Sequence, residues 1–372
     1  MNNSIFSTTT NNTRNNTMNN NAFFSTTNNT RNNNMNNTTA ETLDTKVRHH
    51  IDNNTELKSN DRNFLLRKWH ELRNQKLNIL ITGATGSGKS STINALFNMD
   101  AANVVEMATV GTGPDPETMK ITKYEIGNMV LWDSPGLGDG RKADKDHADA
   151  IINKLNERDR NGKLLIDLVL VVLDGSTRDL GTSYELINEV IIPHLGDNKD
   201  NRILVAINQA DAAMNGHHWD YAQNRPDSVL ERFLDEKCES VRRRIYDGTG
   251  VDITPIYYSA GYKEEGGVQE RPYNLAKLLY FILKHIPAEK RLVAIKNVNK
   301  DARTRQDNDG KEDYNKKSQE LTAKGVAGWM AVGATVGGTI GSLIPGIGTA
   351  VGAAVGTVLG GVGAFIGSLF SW

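Results

Sequence analysis

"LNILITGATGSGKSST", Leu77 to Thr92, decides the fold. A mostly apolar run, Leu77–Thr82, interrupted only by Asn78 before its closing threonine, reads as a strand buried on both faces. A glycine-rich turn follows it and opens a helix. Gly83 through Ser90 fits the pattern GxxxxGK[ST] in the strand–turn–helix context that a phosphate-binding loop requires. There the backbone N–H groups of Gly83, Thr85, Gly86, Ser87, Gly88, Lys89, Ser90 and Ser91 wrap the phosphates of a nucleotide. The Lys89 ammonium reaches the β- and γ-phosphates, and the Ser90 hydroxyl ligates Mg2+.

Outward from this loop, residues 77–288 alternate apolar runs with amphipathic ones, the pattern of an α/β domain of three layers. Strands are expected at "LNILIT" from Leu77, "MKITKYEI" from Met119, "NMVLWD" from Asn128, "LIDLVLVVLD" from Leu165, "RILVAIN" from Arg202 and "DITPIYYS" from Asp252. A Gly127-Asn128 turn makes the second and third a hairpin, which leaves one antiparallel strand in a mostly parallel six-stranded sheet. Helices are expected over Ser91–Asn98, Thr182–His194, Val229–Tyr246 and Leu275–His285.

Three further stretches narrow the nucleotide. "VLWDSPGLGDG" from Val130 places Asp133 at a strand end, where it holds Mg2+ through water, and Gly136 three residues on, where its N–H meets a γ-phosphate. "LVAINQADAA" from Leu204 places Asn208 and Asp211 after an apolar strand. A carboxylate there accepts from guanine N1–H and N2–H2, donors that adenine does not present. "IYYSAGY" from Ile256 places Ser259 and Ala260 where a backbone N–H meets guanine O6.

Together these stretches resemble the five G-motifs of the Ras-like P-loop GTPases, particularly the Era-like and septin-like branch of the TRAFAC class. The resemblance implies a three-layer Ras-like domain that hydrolyses GTP to GDP with Mg2+ as cofactor. It also implies a switch threonine that binds Mg2+ and closes over a γ-phosphate. Among Thr109, Thr112 and Thr118, the last directly precedes the hairpin strand and is assigned that role, so Lys89, Thr118 and Gly136 form the catalytic set, and Ser90, Thr118 and Asp133 the metal set. Two departures stand out. Gln209 of the NQAD motif occupies the place of the family's lysine over the base. Leu137 and Gly86 occupy the places of a water-orienting glutamine and of the asparagine used by potassium-activated relatives, which implies slow intrinsic turnover. Asp139, Asp144, Asp146 and His147 read as solvated residues of a mobile second switch.

The flanks differ sharply from this domain. Residues 1–40 are rich in Asn and Thr, repeat with an offset of 17 (Asn11, Arg14 and Met18 return as Asn28, Arg31 and Met35), and read as a disordered arm. Residues 41–76 read as a helical lead-in carrying Leu65, Leu66, Trp69 and Leu72 at helical spacing; His49, His50 and His70 are expected to be solvated. Residues 289–324 read as a charged connector, with ten Lys/Arg against seven Asp/Glu. Residues 325–372 hold no ionisable side chain, and Pro345-Gly346 divides them into two segments near the roughly 20 residues that span a bilayer. Gly333, Gly337 and Gly341, then Gly348, Gly352, Gly356 and Gly360, recur at every fourth position, a small-residue ridge suited to helix pairing in lipid. Trp329 and Trp372 bracket the region. The tail resembles the glycine-zipper segments of membrane-inserting proteins, and the expectation is an α-helical hydrophobic hairpin that binds membrane lipid with the G domain facing the cytoplasm. Homo-oligomerisation through that hairpin is a further expectation.

Composition bounds the rest. A net charge of −1 gives no support to a general nucleic-acid binder, and no clear nucleic-acid surface is read from the chain. Cys238 is the sole cysteine, which rules out an intramolecular disulfide. The start of the sequence has neither the basic nor the apolar region of a secretory signal. A soluble Era-like ribosome-assembly factor and a membrane-perturbing effector controlled by its G domain are the rival functional expectations.

Overall fold

The computed structural model describes residues 44–45, 47–49, 51–53, 55, 59–97, 99, 102–106, 121–136, 141–263 and 269–331. The arm 1–40, the switch threonine Thr118, Leu137, Asp139 and residues 332–372 of the tail lie outside them.

Helix α1 (Ser59–Arg73) leads into strand β1 (Leu77–Thr82) and helix α2 (Lys89–Leu96). Strands β2 (Asn103–Glu106), β3 (Thr122–Ile126) and β4 (Met129–Asp133) follow, then helix α3 (Arg141–Asn156) and strand β5 (Leu168–Asp174). After α4 (Gly181–Glu185) come strand β6 (Ile203–Asn208), helix α5 (Ser228–Thr249) and strand β7 (Ile256–Tyr257). The described chain closes with α6 (Leu275–His285), α7 (Arg291–Lys296) and α8 (Tyr314–Ala331).

The sheet has seven strands in the order β2-β3-β4-β1-β5-β6-β7, one more than the six expected. The addition is β2, which pairs antiparallel with β3 at the sheet edge. Because β3 is also antiparallel to β4, and β4, β1, β5, β6 and β7 pair in parallel, β3 alone runs against the others. The central strands are apolar on both faces because both faces are covered. Ile79, Ile81, Leu168, Leu170, Leu204 and Ala206 point to one side, against Leu65, Trp69, Ile93, Leu278 and Leu283. Leu80, Val169, Val171, Leu173, Val205 and Ile207 point to the other, against Ile151, Leu155, Ile187, Leu230 and Val241. Each of the leucine, isoleucine and valine side chains among these contributes about 1.5–3 kcal/mol relative to exposure.

Four expectations are corrected by the packing. Residues 289–324 are not an open connector: Leu292, Val293, Ala294 and Ile295 of α7 and Tyr314, Ser318 and Thr322 of α8 are buried, and so are the charged side chains of Arg305 and Asp309. Ion pairs fasten this segment to the domain, among them Lys290–Asp167 at 2.7 Å, Lys311–Glu231 at 2.8 Å and Lys277–Asp309 at 2.9 Å. The boundary expected after Lys324 falls inside α8, where Val326 and Met330 belong to the core. Among the described residues, no helix is long and apolar enough to cross a membrane.

Asp144, Asp146 and His147 lie in a regular helix, α3, and His147 is fully buried rather than solvated. His147, Ile151 and Leu155 form its inward stripe at four-residue intervals. Finally, Thr182–His194 is not one regular helix. α4 widens into a π-helix over Leu186–Ile191 and tightens into a 3-10 turn at Ile192–His194, because Pro193 lacks an N–H and its ring crowds the preceding turn.

Candidate nucleotide site

Parallel strands end on one edge of the sheet, and this gathers residues far apart in sequence. Thr82 at the end of β1 feeds the glycine loop, Asp133 closes β4 in register with Ile81, and Asn208 closes β6 in register with Asp174. Ser259 and Ala260 follow β7 after the single residue Tyr258.

The phosphate loop is wound by glycines in left-handed backbone. Gly86 sits at φ 80° and Gly88 at φ 88°, and any Cβ on Gly88 would overlap the Asn208 amide. Lys89 folds back across the loop, donating to the carbonyls of Gly83 (3.2 Å) and Ala84 (3.1 Å). Ser90 and Ser91 are exposed in the first turn of α2, whose N-terminal N–H groups and dipole favour an anion. Thr85 and Gly86 are exposed at the loop tip, whereas Ser87 is buried. Gly136 packs so close to Thr85 that a Cβ would strike its backbone, which lays the DSPG loop against the phosphate loop.

At the metal end, the Ser90 hydroxyl donates to Asp133 Oδ2 at 3.4 Å, while Asp133 Oδ1 is buried with no hydrogen-bond partner among the described residues. Burial pushes the Asp133 carboxyl up to about 6, and the nearby Lys89 charge and the Ser90 hydrogen bond oppose the rise. An orphaned carboxylate oxygen beside a hydroxyl fits a hydrated divalent cation that completes its shell with phosphate oxygens. No cluster of three His, Cys, Asp or Glu side chains suited to a metal occurs among the described residues, so Ser90 and Asp133 are the described part of any such site. Thr118, expected as a third ligand, lies outside them.

The base end is already joined. Asn208, 2% exposed, donates from Nδ2 to the Ser87 carbonyl (3.0 Å) and accepts at Oδ1 from the Ala260 N–H (2.9 Å). It therefore bridges the phosphate loop and the SA loop. Gln209 adopts φ 59° and donates from Nε2 to the Gly86 carbonyl at 2.7 Å, closing the bridge from the side. Asp211 is half-buried in the turn that follows, and Ser259 Oγ accepts from the Gly261 N–H at 3.2 Å.

Sequence reasoning missed two supports. Thr92 of α2 and the buried Tyr258 hydroxyl lie 2.6 Å apart, and the Tyr258 carbonyl accepts from the Ala210 N–H at 3.1 Å, so the NQAD turn is anchored to the helix of the phosphate loop. Lys237 of α5 donates to backbone carbonyls beside Asn208. Tyr258 could have been found as the residue before Ser259; nothing in the sequence marks Lys237.

Residues 78–209 match the family described as 50S ribosome-binding GTPase. This segment carries a P-loop GTPase G domain. Among curated proteins, Escherichia coli (strain K12) YkfA is 30% identical over 149 residues, 40% of this chain and 47% of that protein. Mouse (Mus musculus) interferon-inducible GTPase 1 is 41% identical over 71 residues, 18% of this chain and 16% of that protein. The chain thus spans about half the length, or less, of the curated relatives it matches. Among solved structures, the G domain of the T. maritima FeoB iron transporter aligns at 17% identity and TM-score 0.31, covering 57% of this chain and 99% of that one. The LeoA bacterial dynamin GTPase from ETEC aligns at 15% identity and TM-score 0.37, covering 82% and 46%.

Proposed function

We propose that this chain is a Mg2+-dependent GTP-binding switch that hydrolyses GTP to GDP and phosphate and is tethered to a membrane by its C-terminal tail. The observation that carries the nucleotide reading is Asn208, whose one amide group holds the phosphate loop and the SA loop together at the ends of β1, β6 and β7. Asp211 accepts from the guanine edge beside it, Lys89 swings from its carbonyls to the β- and γ-phosphates, and the Gly136 N–H meets the γ-phosphate. Ser90 and Asp133 would hold Mg2+, which would supply charge neutralisation to the phosphates. Intrinsic turnover is slow because Leu137 cannot orient a water, so self-association or a partner accelerates it.

The uncharged stretch and its glycine ridge support the tether. Residues 332–372 insert as a helical hairpin, the G domain faces the cytoplasm, and GTP-driven assembly of several copies is the output. The test is carbonate extraction of membranes carrying the full chain or a chain ending at Ala331, which keeps Val326 and Met330 in the core. Full-length protein in the pellet and the shortened chain in the supernatant supports the tether. Monodisperse full-length protein without detergent sinks it.

A second reading, a ribosome-assembly factor of the Era-like kind, is favoured by the match of residues 78–209 to the 50S ribosome-binding GTPase family. GTP-dependent co-sedimentation with large ribosomal subunits by the chain ending at Ala331 decides for it. A membrane-perturbing effector remains the third reading, for which vesicle leakage by the tail alone is the distinguishing result.

A further inference from the structure

Lys237 donates its hydrogen bonds to three backbone carbonyls, while the Asp174 carboxylate acts on it only through space. Its Nζ donates to Thr177 O at 2.6 Å, Gly175 O at 2.7 Å and Asp174 O at 3.4 Å, all in the turn that leaves β5. The Asp174 carboxylate is engaged elsewhere, accepting from both the N–H and the hydroxyl of Ser176 at 2.7 Å. Burial draws the Lys237 ammonium below the ordinary lysine range, so this cation is held where water does not fully solvate it. Partial desolvation of an ammonium costs stability unless charge-assisted hydrogen bonds, such as these to three carbonyls, offset it.

What the turn touches is the base end of the nucleotide site. The Gly175 N–H donates to the Asn208 carbonyl at 2.7 Å, extending the β5–β6 pairing past Asp174 and Asn208. A Cβ on Gly175 would lie 2.5 Å from that carbonyl, so only glycine allows the approach. The main chain of Asn208 is therefore gripped from the turn, while its side chain grips Ser87 and Ala260. Gln209 and Asp211 extend from that same main chain.

We propose that Lys237 is a positioning residue of the guanine subsite: by fixing residues 174–177 it sets the backbone of Asn208 and, through it, the placement of Asp211 against the base. The proposal rests on the GTP-binding reading above. It assigns a specificity role to a lysine in α5, outside every motif of the site.

The test compares dissociation constants for GDP and IDP, whose base lacks the 2-amino group, in wild type, Lys237→Met and Lys237→Arg, with kcat measured at saturating GTP. In Lys237→Met, GDP affinity falls about tenfold, the size of one lost hydrogen bond to a charged group. The preference for GDP over IDP shrinks, and kcat stays within about twofold because the phosphate contacts remain. Lys237→Arg keeps a cation with several donors and recovers most of the preference. Should Lys237→Met not fold, the GDP/IDP ratio of Lys237→Gln decides instead. An unchanged ratio in a wild type that prefers guanine overturns the role of Lys237 alone, even if thermal stability drops. A wild type with no preference for guanine overturns the underlying reading with it.

Discussion

The two ends of the nucleotide site are built to different degrees. At the base end, both polar atoms of the Asn208 amide are bonded, Gln209 is bonded to Gly86, and Tyr258 ties the NQAD turn to α2. At the metal end, Asp133 has one long hydrogen bond and one buried oxygen without a partner, and its carboxyl is pushed up to about 6. Preorganised dipoles discriminate between ligands without reorganising, whereas an unsatisfied carboxylate gains most when a cation arrives. Selectivity for the base is thus set before binding, while Mg2+ and phosphate finish the other end.

Four perturbations break or sharpen this contrast, the largest first. Asp211→Asn exchanges a double acceptor for an amide, so GTP affinity falls on the order of 1,000-fold, two charged hydrogen bonds being lost. Xanthine nucleotides, whose C2 carbonyl suits the amide donor, gain; competition with XTP reads the inversion. Lys89→Ala acts at the phosphate end and costs GTP about 100-fold while leaving the guanine preference intact, as equilibrium titration with GTP and ITP would report. Asn208→Ala deletes the two buried hydrogen bonds to the Ala260 N–H and the Ser87 carbonyl, and stability drops by about 1–3 kcal/mol in chemical denaturation.

The smallest effect is a pH dependence. The Asp133 pKa is raised from 3.8 to about 6 by burial, so the folded chain holds the proton more tightly than the unfolded chain does. Its contribution to stability is fully present below about 3.8 and is lost as pH rises through about 6. Mg2+ needs the carboxylate, so the Mg2+-dependent gain in GTP affinity fades as pH falls through 6 and survives above it. Asp133→Asn flattens that dependence while leaving the Mg2+-free affinity for GDP close to wild type.

Much of this architecture is legible in the sequence because its signals are local. The apolar runs at Leu77, Leu168 and Ile203 have no polar alternation, so they mark strands covered on both faces, and the glycine turn at Gly83 marks which strand comes first. Asn208 and Ser259 are legible because each directly follows such a run. What escaped is held by contacts distant in sequence. Lys237 meets its carbonyls across some 60 residues, and residues 289–324 are as charged as a linker until α7 and α8 turn their Leu292, Ile295 and Thr322 inward. α3 was hidden differently: its inward stripe begins with His147, a residue whose polarity masks the four-residue period completed by Ile151 and Leu155.

The most direct test of the base end is competition for a fluorescent GDP by GTP, GDP and ATP, with and without Mg2+, on the wild-type chain. The account predicts that GTP and GDP displace the probe under both conditions, that Mg2+ strengthens GTP, and that ATP displaces nothing over the same range. Equal displacement by ATP and GTP would contradict it, because the carboxylate of Asp211 would then not be reading the base.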